Sequence, residues 1–187
     1  DPHTEDFISS LPIRIVGLDS RYEYDLNRKP DECIYKIAWE KKVWEKILTK
    51  KEKQRSLHKH NEFYRVVSVL VETIEKKFGA CIVYDIHSYN HKRIKDVKPP
   101  LFNIGSENVD KKKFGKFITS WREELSKIKV SSVINETAIN KVFYGRGYFL
   151  DFITSKFDNT LVLATEVKKV YVDESTQDSF PEVINDI

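Results

Sequence analysis

The run Tyr84-Asp85-Ile86-His87-Ser88-Tyr89-Asn90 delivers an aspartate, a histidine and a serine just after Ala80-Cys81-Ile82-Val83. A short apolar run behind the helix-ending Gly79 predicts a buried strand, and open α/β sheets bind ligands beyond the carboxyl ends of their strands. His87 therefore falls where chemistry is usually done; the plainer reading is a structural histidine at a turn. Near the chain's start, His3 and Asp6 are three residues apart, a spacing that lets an imidazole and a carboxylate converge on one metal. Glu166 ends a second apolar run, Leu161-Val162-Leu163-Ala164-Thr165, where a carboxylate is costly unless it is paired or functional. Lys168 and Lys169 offer it a plain ion pair. Nitrogen and oxygen donors, with a carboxylate to take a proton from water, are the parts of a zinc hydrolase. Spacing alone does not show that they meet.

Two more groups are suited to gripping an anion. Arg21 and Arg28 lie in Asp19-Ser20-Arg21-Tyr22-Glu23-Tyr24-Asp25-Leu26-Asn27-Arg28, and each offers a planar fork to a carboxylate. Salt bridges to Asp19 and Asp25 are the competing reading. Arg146 stands between Gly145 and Gly147, a pattern that implies a tight bend or a close approach to a ligand.

The elements that must carry these residues follow from periodicity. Residues 13–18 predict a strand. Residues 37–48, with Ile37, Trp44, Ile47 and Leu48 at helical spacing, predict an amphipathic helix. Residues 50–60 read as a polar connection with His58 and His60 on the surface. A stronger helical pattern runs from about Asn61 through Phe63, Val66, Val67, Leu70, Val71, Ile74 and Phe78 to its stop at Gly79. Residues 101–105 predict a short strand, 110–128 a helix with an acid at its start, 130–134 a strand and 161–167 a buried strand. The acidic tail from Asp173 is expected to pack loosely.

Composition narrows the function classes. With 187 residues, the chain suits one domain with a real core. No apolar run approaches the roughly 20 residues that span a bilayer, so a membrane role is not expected. The net charge is only +3, and acids interleave the lysines around Lys50 while an amphipathic helix follows Lys111-Lys112-Lys113; both runs read as solvated helix faces rather than nucleic-acid patches. Cys33 and Cys81 form neither a metal spacing nor a disulfide framework, which suits a reducing cytoplasm. The chain begins at Asp1 and contains no methionine, as a trimmed N-terminus would.

Four blocks, Pro2-His3-Thr4, Ser20-Arg21-Tyr22 with Asp25-Leu26-Asn27-Arg28, Asp85-Ile86-His87-Ser88 and Thr165-Glu166-Val167, occur in the order of the motifs of the N-formylglutamate amidohydrolase family. The chain resembles that family over nearly its whole length, and its second block looks closest to the flavohemoglobin expression-modulating branch. The resemblance implies a single α/β domain similar to the zinc carboxypeptidases, with three layers and a mixed, mostly parallel sheet flanked by helices. It also implies a zinc ion held by His3, His87 and an acid of the first block, Asp6 or alternatively Glu5. Glu166 matches the general base; Arg21, Asn27 and Arg28 match the block that grips substrate carboxylates. Ser88 is grouped with these substrate-binding residues, and Arg146 polarises the carbonyl or holds a second carboxylate. The implied reaction is hydrolysis of an amide bond in a small carboxylate-bearing substrate; the competing reading is a regulatory protein that keeps the fold without turnover. Thr4-Glu5 stand where the family has Ser-Gly, a departure that bears on the substrate more than on the metal.

Overall fold

A computed structural model describes every residue except Trp39 and Ser132. In chain order the elements are β1 (Ile37–Ala38), β2 (Lys41–Lys42), α1 (Lys50–Phe78), β3 (Cys81–Tyr89), β4 (Phe102–Gly105), α2 (Lys111–Lys127), β5 (Thr137–Ile139), α3 (Tyr148–Lys156), β6 (Thr160–Lys168) and α4 (Pro181–Asp186). They form two compact units. The first comprises Asp1–Ile15, Ile82–Arg146 and Leu161–Ile187, the second Val16–Cys81 and Gly147–Thr160.

The first unit is built on a four-stranded sheet in the order β3-β6-β4-β5. β4 runs parallel to β5 and antiparallel to β6, and the fold is α/β with a mixed, mostly parallel sheet and flanking helices, as expected. Every residue of β4 is buried, and so are Leu161, Val162 and Leu163 of β6. Each such aliphatic side chain contributes roughly 1.5–3 kcal/mol on leaving water. α2 begins where Asp110 accepts the backbone N–H groups of Lys112 and Lys113. Its Trp121 ring lies 5.0 Å from that of Tyr84 on β3, and its Nε1–H donates to Thr165 Oγ1 on β6 at 2.9 Å. One helix side chain thus covers two strands.

The second unit centres on α1. Thr49 caps it with a full capping box to Glu52, and Gly79, at φ 81°, supplies the left-handed stop. Tyr64 packs edge-on against Phe152 of α3 at 4.7 Å and lies 5.0 Å from Tyr148. Lys156 of α3 donates to the buried Ser68 hydroxyl at 3.1 Å.

Several local expectations are corrected. Residues 13–18 form no strand: Ile13 is 55% and Leu18 89% exposed, so this run has no apolar surface to bury against. Residues 37–48 form the two-rung antiparallel pair of β1 and β2 instead of a helix. Ile37 is 66% and Ile47 91% exposed, so their spacing makes no core-facing stripe; Trp39, within this stretch, lies outside the described residues. Residues 50–60 are the opening turns of α1 rather than a connection, because Thr49 nucleates the helix early, and His60 is buried. β3 continues to Tyr89, so Asp85, His87 and Ser88 lie inside the strand and not beyond its end. In 130–134 a single bridge joins Val130 and Val133, and Ser132 lies outside the described residues. The tail is more ordered than expected, since α4 buries Val183.

Candidate functional site

Strand alternation assigns the central residues of the first unit to a face. Tyr84 and Thr165 both meet Trp121, so their neighbours Asp85 and Glu166, and with Asp85 also His87, point to the opposite side of the sheet. β3 and β6 are adjacent. Asp85, His87 and Glu166 therefore share the face away from α2. His87 is bracketed by acids: Nε2 lies 3.0 Å from Asp85 Oδ1 and Nδ1 lies 3.4 Å from Asp1 Oδ2. The backbone N–H of Ser88 approaches the same Asp1 oxygen at 3.5 Å. Ser88 is buried; burial pushes the nearby Tyr171 phenol, which donates to Pro2 O at 3.2 Å, up to about 12. Glu166 is half-buried in β6, in register with Asn103 of β4. Asn103, fully buried, donates to Phe143 O and accepts the N–H groups of Lys141 and Val142, which ties the 141–143 loop to the sheet.

His3 and Asp6 meet as their spacing predicts, with Nδ1 2.9 Å from Asp6 Oδ2. The other ring nitrogen, Nε2, lies 2.8 Å from Ser179 Oγ. Together they line a cleft of about 560 Å³ with Phe7, Pro181 and Ile184. Zinc is the group the family resemblance implies, and the donor geometry tests it. Among the described residues, no three His, Cys, Asp or Glu side chains gather round a point that could hold a metal ion. His3 has one ring nitrogen on Asp6 and the other on Ser179, while His87 faces Asp85 and Asp1. As arranged, His3, Asp6 and His87 do not fit a shared ion.

Arg146 lies in the glycine turn, but the close approach there is to protein. A Cβ on either Gly105 or Gly145 would collide with the other's backbone, and Gly145 sits at φ 74°. The turn presents the Arg146 guanidinium to both oxygens of Glu107, and this bond holds the Glu107 carboxyl below its ordinary range.

In the second unit the arginines converge. Arg21 Nη2 lies 2.7 Å and Arg28 Nε 3.5 Å from the same oxygen of Asp25. Asp25 is 3% exposed, and its other oxygen accepts the Asn27 N–H at 3.0 Å. Burial, and then the Asp25 charge, push the nearby Tyr35 phenol up. Both guanidiniums remain about half exposed, at 45% and 52%. Asp19, the other acid considered for them, instead accepts from Tyr24 and Lys59. Asn27 anchors α3: its carbonyl accepts the Tyr148 N–H and its Oδ1 the Phe149 N–H. A Cβ at Gly147 would strike that side chain. Sequence reasoning missed His60 and Tyr64, which lie beneath this loop. The signal was present, since 60, 64, 67 and 71 continue one helical stripe.

The family model described as N-formylglutamate amidohydrolase matches residues 1–168. Among solved structures, N-formylglutamate amidohydrolase from Ralstonia eutropha is similar with a TM-score of 0.66 and 16% identity, over 89% of this chain and 69% of that one. A gene product of Agrobacterium tumefaciens gives a TM-score of 0.59 and 15% identity, over 88% of this chain and 62% of its own. At such identities the likeness is one of fold. No curated protein matches the chain. With 168 consecutive residues accounted for by one family model, the chain belongs to the N-formylglutamate amidohydrolase family.

Proposed function

We propose that the chain hydrolyses the amide C–N bond of an N-formyl or N-acyl amino acid, or of a peptide-like substrate, that bears a carboxylate. The family match over residues 1–168 carries this reading. It is supported in the first unit by Glu166 and His87 on one face of neighbouring strands. In this reading Glu166 takes the proton of the attacking water and returns it to the leaving amine. Arg21 and Arg28, with Asn27 holding their loop, present cationic forks to a substrate carboxylate. Ser88 is a further polar contact for substrate, and Arg146 polarises the scissile carbonyl or holds a second carboxylate once it leaves Glu107. Zinc on His3, Asp6 and His87 is part of the proposal and requires those side chains to exchange their present partners for the ion. An ion so held would supply a bound water with its pKa lowered to about 7. We place the protein in the cytoplasm, where Cys33 and Cys81, both buried and free, stay reduced; burial pushes both thiols up, away from reactivity.

The test is hydrolysis of N-formyl-L-glutamate and a panel of N-acyl amino acids and dipeptides by purified protein, with metal analysis of the same sample. Turnover that is lost in Glu166→Gln while metal content persists supports the reading. A parent protein inert across the panel overturns it. The second reading, a regulatory protein without turnover, is favoured by the engagement of His3 and His87 with separate acids.

A further inference from the structure

We infer that His60 is a positioning residue for the arginine pair, an inference that rests on the carboxylate-binding role proposed for Arg21 and Arg28. His60 is 0% exposed within α1, its ring 4.9 Å from that of Tyr64 and stacked 6.2 Å from that of Tyr148. Its Nε2 lies 2.9 Å from the carbonyl oxygen of Arg28. A carbonyl only accepts, so Nε2 carries a proton and donates it to Arg28 O. The other ring nitrogen, Nδ1, is buried with no hydrogen-bond partner among the described residues. A buried polar nitrogen left unmatched is unfavourable, and a leucine would fill the same space without it. The imidazole is therefore poorly explained by packing and well explained by the bond it donates.

One turn along α1, the Tyr64 hydroxyl donates to the carbonyl of Leu26 at 2.5 Å. Two donors four residues apart thus hold carbonyls 26 and 28 from inside the core. Between them Asn27 is tied at its carbonyl and side chain to the first turn of α3, and at its N–H to Asp25. The peptide that carries Arg28 is fixed on both sides. This fixes where Arg28 Nε meets Asp25 and where its guanidinium lies over the Tyr35 ring, 4.8 Å from the centroid. Without the His60 donor, the Arg28 carbonyl would be free to turn and the fork would lose its fixed bearing.

The experiment compares His60→Leu with His60→Gln, whose amide N–H reaches the point where Nε2 stands. Glutarate binding is read by calorimetry, and N-formyl-L-glutamate hydrolysis is resolved into kcat and KM. Losing one oriented hydrogen bond predicts about a tenfold rise in Kd and KM for His60→Leu with kcat nearly unchanged. His60→Gln restores parent-like values. A purely structural role would lower Tm in both variants while leaving Kd and KM at the parent value, and that result overturns the inference. Should His60→Leu fail to fold, His60→Asn takes its place, because its shorter amide cannot reach Arg28 O; parent-like Kd in that variant also overturns it. A parent protein that neither binds glutarate nor hydrolyses the formyl substrate overturns the inference together with the proposed function, and is distinguished from the other failures because the parent itself is inert.

Discussion

Around Asp25 in the second unit, two guanidiniums, a phenol and a backbone amide converge on one buried carboxylate. In the first unit the two histidines expected to share an ion each lie against local groups: His3 bonds to Asp6 and Ser179, and His87 stands beside Asp85 and Asp1, its Nε2 near Asp85 without hydrogen-bond alignment. The difference lies in what folding alone can assemble. A cationic fork finds its best neutral-pH partner in a buried acid, so the arginine cluster is complete as soon as the chain folds. Imidazoles with acids one turn or two residues away settle beside those acids, and bringing them to a common point would have to displace contacts already made.

The widest separation between the regions is expected from Glu166→Gln. If Glu166 moves the proton, kcat falls by about a hundredfold to ten-thousandfold. The substitution is nearly isosteric, so the urea midpoint stays close to the parent's. Loss of stability without loss of turnover would make Glu166 a structural residue and leave the first unit without its catalytic acid. Asp25→Asn probes the other region. It leaves two guanidiniums facing a neutral group, and with both about half exposed to water the cost falls at the low end for a broken buried pair, about 2–3 kcal/mol in urea denaturation. An unchanged midpoint would show that the cluster is held together by its loop and not by its charge.

What the sequence made legible divides along the same line. His3 with Asp6 was readable because three residues fix their distance, and Arg21 and Arg28 because acids stand beside them in the chain. The choice of Asp25 over Asp19 was not readable, since it depends on a burial completed by other segments of the unit. His87 was placed past a strand end because polar residues follow Val83. The strand is only half-buried there, so alternation was the correct period rather than a continuous apolar run. Residues 37–48 show the converse fault: helical spacing carries no information where Ile37 and Ile47 remain in water. His60 lies between Lys59 and Asn61, so its local composition suggests surface, and its burial is set by Tyr148, which is remote in sequence. The strands of 101–105 and 161–167 and the helix of 110–128 were legible because each has a continuous core-facing stripe with clear ends.

A smaller effect tests whether the sheet face bearing His87 and Glu166 is held from behind. Trp121→Phe keeps the ring against Tyr84 and removes the donor to Thr165 Oγ1, which still bonds to the Leu163 carbonyl. The expected cost is about 1 kcal/mol by urea denaturation. If kcat falls as well, the bond also sets the bearing of the neighbouring Glu166; if only stability changes, the strands hold that bearing themselves.

The smallest expected effect concerns a histidine that its acid fails to charge. His91 Nδ1 lies 3.0 Å from Glu174 Oε1 without hydrogen-bond alignment, while the His91 backbone N–H donates to the same oxygen at 2.9 Å. Burial first, and then the positive charge of Lys168, push its pKa below 6.5 despite Glu174. A folded-state value below the unfolded one means that, between the two, the unfolded chain binds a proton the folded chain does not. Stability from this group therefore rises with pH through that window and is lost as pH falls below about 6.5. His91→Gln, which does not titrate, should flatten the slope of Tm against pH just below 6.5 and leave the slope above neutrality unchanged. A parent Tm that instead falls relative to His91→Gln as pH rises just above 6.5 would mean that Glu174 does charge His91. A histidine beside a single acid in the first unit would then behave as the arginines do beside Asp25.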